Sequence, residues 1–333
     1  MKKVFSVLGK VTLVIFVVLI LAVLVGPFLV PVTPLEGLST IEEIASDESE
    51  FITIPYAGTD GIDIHYLSDE DEQNPEEPTF ILLHGSNFNA YTWTEVIDFF
   101  GEQGRVIAYD QIPYGLSEKL VEGDWSGKNP YADTAAVEQL FILMDELNVE
   151  NAILVGNSYG ATLAVRAALA NPDRIDGLIL GDAAVYVSEE MPASVMNSAQ
   201  MQRIGPLFAR MIGGSEAFIQ QTYLNTDLLT EERMAQTLIL TQVQDWDTAY
   251  WEYLQVWGSD GPDHVAQIPN IEQPTLVISG DSDAIVPVED SERLNAELPN
   301  SELVILPNCG HVPQEECPEI FEEAVDAWLN GLE

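Results

Sequence analysis

A serine that could act as a nucleophile stands between two glycines in the segment 156–160, Gly-Asn-Ser-Tyr-Gly. The apolar run 153–155 precedes it and the alanine-rich run 161–168 follows it, so the pattern predicts a strand, a sharp turn and a helix. Such a turn would hold the hydroxyl of Ser158 at the helix N-terminus, where free N–H groups stabilise developing negative charge. A Gly-x-Ser-x-Gly segment also occurs by chance in turns, so the flanking strand and helix are what favour a catalytic serine.

A base and an acid that could activate this serine follow later in the chain, and a serine hydroxyl is a poor nucleophile without them. The apolar runs 273–280 and 303–306 both predict buried strands. Asp283 follows the first run and His311 follows the second, which gives the chain order serine, acid, histidine. Asp182, at the end of another predicted strand, is the alternative acid.

This order, together with a His-Gly pair at 84–85 after a further predicted strand, resembles the α/β-hydrolase superfamily over roughly residues 50–331. The resemblance implies an α/β-hydrolase fold, which is a mostly parallel central sheet flanked by helices. It also implies that the serine is acylated and that the backbone N–H groups of Ser86 and Tyr159 form the oxyanion hole. His84 would then turn its loop rather than act as a base, and we expect no cofactor and no metal.

The segment 185–266 interrupts the alternation of strands and helices and has the spacing of several helices without a clear strand. In the resembled superfamily an insertion here forms a helical cap. Aromatic residues recur in it at helical spacing, and they either pack the core of the cap or line an apolar pocket. We predict that two of them, Trp246 and Tyr250, contact substrate together with Asn87 from the loop after the His-Gly pair.

An uncharged run of the length needed to cross a bilayer lies near the N-terminus, between Val11 and Val30. Lysines occupy positions 2, 3 and 10, and no Lys or Arg lies between residues 11 and 104. The positive-inside rule therefore predicts a single-pass anchor in the cell membrane, with the catalytic domain on the extracytoplasmic side. No small-x-small cleavage site is evident, which disfavours a cleaved signal peptide. The predicted organisation is an anchor (residues 1–32), a tether (33–50) and a core (51–184 and 267–333) in which the cap (185–266) is inserted.

The charge and the cysteines limit the partners and the compartment. Twelve Lys and Arg against 55 Asp and Glu give a net charge of −43, which repels nucleic-acid phosphates. We expect a small-molecule substrate and the membrane as partners, and no nucleic acid. The only cysteines, Cys309 and Cys317, flank His311, so they form either a disulfide or two buried thiols. Outside the candidate site, we predict that His65 is exposed on a strand and that Asp110 forms a turn.

The function that these residues predict is hydrolysis of carboxylic esters with small or medium apolar acyl groups. An alternative is hydrolysis of a carbon–carbon bond of the meta-cleavage type, since the segments Gly-Asn-Ser-Tyr-Gly and His-Gly-Ser-Asn resemble that branch equally well. A third possibility from another class is a surface-tethered binding module without catalysis. The complete set of serine, acid and histidine argues against it.

Overall fold

The computed structural model describes residues 2–68, 77–186, 193–257 and 264–332. Eight strands in these ranges form one sheet in the order β1-β2-β4-β3-β5-β6-β7-β8. β2 is antiparallel to β1 and to β4, and all the other neighbouring pairs are parallel. The strands are β1 Glu50–Ile54, β2 Ile62–Ser68, β3 Thr79–Leu83, β4 Arg105–Tyr109, β5 Ala152–Asn157, β6 Ile175–Gly181, β7 Thr275–Gly280 and β8 Ser301–Leu306.

Helices lie on both faces of the sheet, which is why the central strands are continuous apolar runs. Every residue of β5 and β7 is buried. The α-helices are α1 Lys2–Leu29, α2 Ile41–Ile44, α3 Ile97–Gln103, α4 Asp133–Glu146, α5 Tyr159–Ala170, α6 Ala193–Met196, α7 Ala199–Gly213, α8 Glu216–Thr222, α9 Glu231–Thr237, α10 Trp246–Val256, α11 Val288–Glu297, α12 Pro313–Glu316 and α13 Pro318–Leu332. Short 3₁₀ helices connect them at Ala90–Trp93, Pro172–Arg174, Thr226–Leu228, Ile239–Gln242 and Val265–Asn270.

The two faces carry separate hydrophobic cores. One core contains buried residues of α4, α5 and α11 and continues into α7 and α10. The other contains buried residues of α3 and α13. The predicted fold class, a mostly parallel sheet flanked by helices, is confirmed by this arrangement.

The chain between β6 and β7 forms α6 to α10 in the part that the structure describes, while 187–192 and 258–263 of the predicted cap lie outside the described residues. Helices α7 and α10 pack closely because α7 has a glycine at the crossing. A Cβ on Gly205 would lie 2.2 Å from Cε2 of Trp251. Any larger residue at position 205 would therefore push the two helices apart.

The N-terminal helix α1 packs against α7 of the inserted helices. Residues Lys10–Leu29 have a mean hydropathy of 3.0, so by length and composition they could span a membrane, as signal sequences also could. The segment after α1 continues along the same helices. Arg210 Nη2 donates to the carbonyl of Thr33 at 2.8 Å, and Ser39 forms a bridge with Val243. The predicted tether is thus held against the protein along its length rather than hanging free.

Candidate active site

The turn between β5 and α5 holds Ser158 in a conformation that few residues adopt. Ser158 has φ 54°, and its backbone N–H donates to the carbonyl of Gly181 at 2.9 Å. A Cβ on Gly156 would lie 2.5 Å from the backbone nitrogen of Ala161, and a Cβ on Gly160 would lie 1.9 Å from the carbonyl oxygen of Leu83. Only glycine fits at both positions, so the two glycines allow the strained turn that presents the serine.

The loop after β3 passes directly over this turn. A Cβ on Gly85 would lie 3.1 Å from Cβ of Ser158. Ser86 follows Gly85 in this loop, and Tyr159 begins α5 immediately after the serine. The two predicted oxyanion-hole residues are therefore the sequence neighbours of two residues that are in close contact.

His84 fixes the shape of this loop with both ring nitrogens. Its Nδ1 lies 2.8 Å from the carbonyl of Gly85, and its Nε2 accepts from the backbone N–H of Gln111 at 3.0 Å. Burial lowers the pKa of His84, which favours the neutral ring that this pair of contacts needs. Both nitrogens are occupied by backbone groups, so His84 is not placed to act as a base.

Asp283 and His311 meet at the carboxyl ends of β7 and β8. Oδ2 of Asp283 lies 2.7 Å from Nδ1 of His311, and both side chains are buried. Oδ1 of Asp283 accepts from the backbone N–H groups of Ile285 at 2.7 Å and Val286 at 3.1 Å. The carboxylate is therefore held from both sides, and its contact with Nδ1 leaves Nε2 as the ring nitrogen free to serve a nucleophile.

A side-chain hydrogen bond ties the histidine loop to the nucleophile turn. Nδ2 of Asn157, the residue immediately before Ser158, donates to the carbonyl of His311 at 2.9 Å. Because β5, β6, β7 and β8 are parallel neighbours, their carboxyl ends lie at one edge of the sheet. The structure thus brings Ser158, Asp283 and His311 together at this edge.

The histidine loop is closed by a disulfide between Cys309 and Cys317, whose Cα atoms are 6.1 Å apart. Of the two alternatives left by the sequence, the structure has the bonded pair. Two further contacts hold the loop: the N–H of Gly310 donates to Glu316 Oε2 at 2.8 Å, and the N–H of His311 donates to the carbonyl of Thr222 at 2.8 Å. The backbone that carries the imidazole is therefore fixed both covalently and by hydrogen bonds.

Comparison with known proteins agrees with this geometry. The model of the alpha/beta hydrolase fold family matches residues 78–318. The chain belongs to the α/β-hydrolase superfamily. It is 28% identical over 294 residues to a 2-hydroxy-6-oxononadienedioate/2-hydroxy-6-oxononatrienedioate hydrolase of Paraburkholderia phymatum, covering 85% of this chain and 96% of that one.

Two solved structures of hydrolases share this α/β-hydrolase fold. A thermophilic esterase from Thermogutta terrifontis has a TM-score of 0.66 and 22% identity, over 85% of this chain and 98% of the esterase. A bacterial membrane phospholipase A has a TM-score of 0.64 and 21% identity, over 99% of each chain. At these identities the likeness shows the fold alone, but the second match extends over the N-terminal helix as well.

Asp182, the alternative acid of this α/β hydrolase, lies next to Asp283 without taking its place. Asp182 is fully buried after β6. One carboxyl oxygen of Asp182, one of Asp283 and a ring nitrogen of His311 all lie within 4.8 Å of one another. The oxygen that accepts from Nδ1 of His311 belongs to Asp283. Burial and the charge of Asp283 raise the pKa of Asp182 well above its usual value.

Two of the three predicted substrate contacts are joined, and the third lies in the cap. The hydroxyl of Tyr250 donates to Oδ1 of Asn87 at 2.5 Å, so α10 reaches the loop that follows β3. Trp246 is buried in the larger core, and a Cβ on Gly213 of α7 would lie 3.0 Å from its Cζ3. For Trp246 the structure therefore favours the packing alternative over the pocket alternative.

Two tyrosines near the site were not singled out as substrate contacts. The ring of Tyr114 lies 5.8 Å from that of Tyr250 and 5.4 Å from that of Tyr253, both edge to face. Tyr114 and Tyr253 line a cavity with Tyr159 of the nucleophile turn. Tyr253 belongs to the aromatic series at helical spacing, residues 246, 250, 253 and 257, whereas Tyr114 lies in the loop after β4 and has no such spacing to mark it.

The prediction that His65 is exposed is wrong. His65 is fully buried; its Nδ1 lies 2.7 Å from Asp110 Oδ2, and its Nε2 lies 3.0 Å from Oγ of Ser49. The end of the predicted tether covers this face of β2, which local alternation could not reveal. The carboxylate of Asp110 also accepts from the N–H groups of Ala90 and Leu116 at 2.6 Å each, so it fixes the loops around it, and the turn predicted at Asp110 itself stays a prediction.

These contacts form a second Ser–His–Asp series, but its surroundings differ from those of Ser158. Ser49 precedes β1 rather than a helix, so no helix N-terminus lies behind its hydroxyl. Its Oγ is also within 3.2 Å of the hydroxyl of Tyr91. We therefore assign Ser49, His65 and Asp110 to holding the tether on the core.

Proposed function

We propose that this hydrolase cleaves carboxylic esters of small or medium apolar acyl groups through an acyl-enzyme on Ser158. The observation that carries the proposal is the buried hydrogen bond between Asp283 and His311, joined to the nucleophile turn through Asn157. This is the arrangement that activates a serine in acyl transfer. Membership of a hydrolase superfamily also goes against the non-catalytic binding module.

In the proposed reaction, Nε2 of His311 takes the proton from Oγ of Ser158 as the oxygen attacks the ester carbonyl. The backbone N–H groups of Ser86 and Tyr159 hold the resulting oxyanion. His311 then gives the proton to the departing alkoxide, and the acyl group stays on the serine. A water molecule, deprotonated by His311, releases the acid and restores the serine. Asp283 orients the imidazole and stabilises its cationic form.

Size selection is assigned to the aromatic roof that α10 places over the oxyanion loop. This roof consists of Tyr250 and Tyr253 of α10 together with Tyr114; all three are buried, and the ring of Tyr114 packs edge to face against each of the other two. The bond from Tyr250 to Asn87 fixes this roof to the loop. We assign to this fixed roof a limit on the length of the acyl chain that can reach Ser158.

The second candidate is hydrolysis of a carbon–carbon bond. A relative at 28% identity carries the name of a 2-hydroxy-6-oxononadienedioate/2-hydroxy-6-oxononatrienedioate hydrolase. The buried hydroxyls of Tyr114 and Tyr253 border the same cavity, where they could donate to keto or carboxylate oxygens. This candidate shares the residues of the ester mechanism and differs in the substrate.

The experiment compares a series of p-nitrophenyl esters of increasing acyl length with a vinylogous 1,5-diketo acid. We expect turnover of short and medium esters, and its loss in Ser158→Ala with the thermal midpoint unchanged. Ser49→Ala is the matched control, because Ser49 also contacts a His–Asp pair, and it should keep the activity. Turnover of the diketo acid far above that of any ester would select the carbon–carbon reaction, and an active Ser158→Ala would reject both.

We also propose that α1 anchors the enzyme in the cell membrane as a single span with the catalytic domain outside the cytoplasm. The mean hydropathy of 3.0 over Lys10–Leu29 and the lysines before this run support the span and its direction. The disulfide supports an oxidising compartment. Protease added to intact spheroplasts should digest the catalytic domain. In membranes not treated with protease, the enzyme should stay in the membrane after carbonate extraction. Release by carbonate, or protection from protease, would contradict the proposal.

A further inference from the structure

Asp182 lies beside the candidate catalytic acid with one carboxyl oxygen uncommitted. Its Oδ1 accepts from the N–H of Gly280 at 2.9 Å and from the hydroxyl of Ser279 at 3.2 Å. Its Oδ2 is buried and has no hydrogen-bond donor among the described residues. One carboxyl oxygen of Asp182 lies within 4.8 Å of a carboxyl oxygen of Asp283. Two negative charges this close in a buried site repel each other, which favours a pair that holds one proton.

The contacts on each side decide which aspartate keeps this proton. Both oxygens of Asp283 already have partners that favour its charged form: the N–H groups of Ile285 and Val286 on Oδ1, and the ring nitrogen of His311 on Oδ2. Asp182 has donors on Oδ1 alone, and its Oδ2 is left for a proton. Burial and the negative charge of Asp283 raise the pKa of Asp182 well above its ordinary value.

We propose that Asp182 is a positioning residue whose protonated carboxyl donates a hydrogen bond to Asp283 and so holds Asp283 on His311; this role rests on the proposed serine hydrolysis. The bond would supply Asp283 with a further donor from the neighbouring strand β6. The carboxylate would then be held by the loops after both β6 and β7, which restricts its rotation away from the imidazole. In this role Asp182 acts through Asp283 and not directly on the serine or the substrate.

The role predicts a dependence on pH with a definite sign. Among the described residues, the titratable groups clustered with Asp182 are Asp283, from the loop after β7, and His311, from the loop after β8. Above the raised pKa of Asp182 both aspartates are negative, the hydrogen bond between them is lost, and they repel each other. Activity should therefore fall on the alkaline side as Asp182 loses its proton, and it should be restored when the pH is lowered again.

The test uses two substitutions that separate the hydrogen bond from the proton. Asp182→Asn keeps a donor that does not titrate, so kcat should stay within about threefold of wild type and the alkaline fall should disappear. Asp182→Ala removes the donor, so kcat should drop about 10- to 100-fold, the worth of a hydrogen bond to a charged group, with KM unchanged. Asp176→Asn, an exposed aspartate on the same strand, is the matched control and should behave as wild type. Equal losses in Asp182→Asn and Asp182→Ala, or no loss in Asp182→Ala, would overturn the proposal.

An infrared measurement on the resting enzyme does not depend on the reaction. The difference spectrum between wild type and Asp182→Asn at pH 8 should contain the carbonyl stretch of one protonated carboxylic acid. Absence of this band would overturn the proposal whatever the enzyme hydrolyses. If the band is present but the enzyme hydrolyses none of the esters, the proposed function is rejected, while the proton shared by Asp182 and Asp283 stands.

Discussion

The disulfide beside the candidate catalytic histidine has a calculable effect on stability. Cys309 and Cys317 are 8 residues apart, and a crosslink over a loop of this length lowers the entropy of the unfolded chain by an amount worth about 2.5 kcal/mol at 25 °C. For a chain of 333 residues, this loss would lower the thermal midpoint by about 4 °C. We therefore expect the double variant Cys309→Ser/Cys317→Ser to unfold about 4 °C below wild type.

Loss of the disulfide should lower activity only modestly, because other bonds still hold the loop that carries His311. Without the crosslink, Gly310 keeps its bond to Glu316, and His311 keeps its bonds to Thr222 and Asp283. The ring therefore stays in place most of the time. We expect kcat to fall with KM unchanged, because only the position of the base is loosened.

Unfolding of the detergent-solubilised enzyme, followed by circular dichroism with and without dithiothreitol, measures the change. Reductant should bring wild type to the midpoint of the double variant and should leave the variant unaffected. Each single serine variant should match the double variant, which controls for the loss of either thiol. If wild type kept its midpoint in reductant after thiol titration had shown full reduction, the loop-closure reasoning would be refuted.

Three further predictions concern the remaining histidine contacts. Asp283→Asn should lower kcat by about 10⁴-fold in steady-state assays, because the amide would select the wrong tautomer of His311; a loss of less than about tenfold would point to another acid. His65→Ala should lower the free energy of unfolding by about 3 kcal/mol in urea titrations while leaving kcat unchanged, because Asp110 would lose its partner inside the core; a lost kcat at full stability would contradict the structural role. Stability should decline as pH falls below about 6.5, the ordinary pKa of histidine, because the unfolded chain takes up a proton that buried His84 resists. The decline should be weaker in His84→Gln, and an equal decline would assign it to other groups.

The fold and the candidate triad could be predicted because their signals are local. The glycines around Ser158 mark a strand–turn–helix within a few residues, and the acid and the histidine each follow an apolar run that ends at the same edge of the sheet. The α/β-hydrolase fold and the general assignment as a hydrolase are confirmed. The roles of Ser158, Asp283 and His311 stay predictions until they are measured.

What the sequence could not predict depends on contacts between distant segments. His65 alternates like an exposed strand residue, and only the folded tether shows that Ser49 covers it. Asp182 was an alternative to Asp283 because the sequence does not show that the ends of β6 and β7 bring the two carboxyl groups together. The bond from Tyr250 to Asn87 likewise joins the inserted helices to a loop that lies 163 residues away in sequence.

The most direct test of the hydrolytic mechanism is the location of a fluorophosphonate adduct by peptide mapping. The account predicts one adduct, on Ser158, formed by the folded enzyme and greatly slowed in His311→Ala. Labelling of Ser49, labelling of Ser158 at the same rate without the histidine, or no labelling of an enzyme that turns over its ester would contradict it.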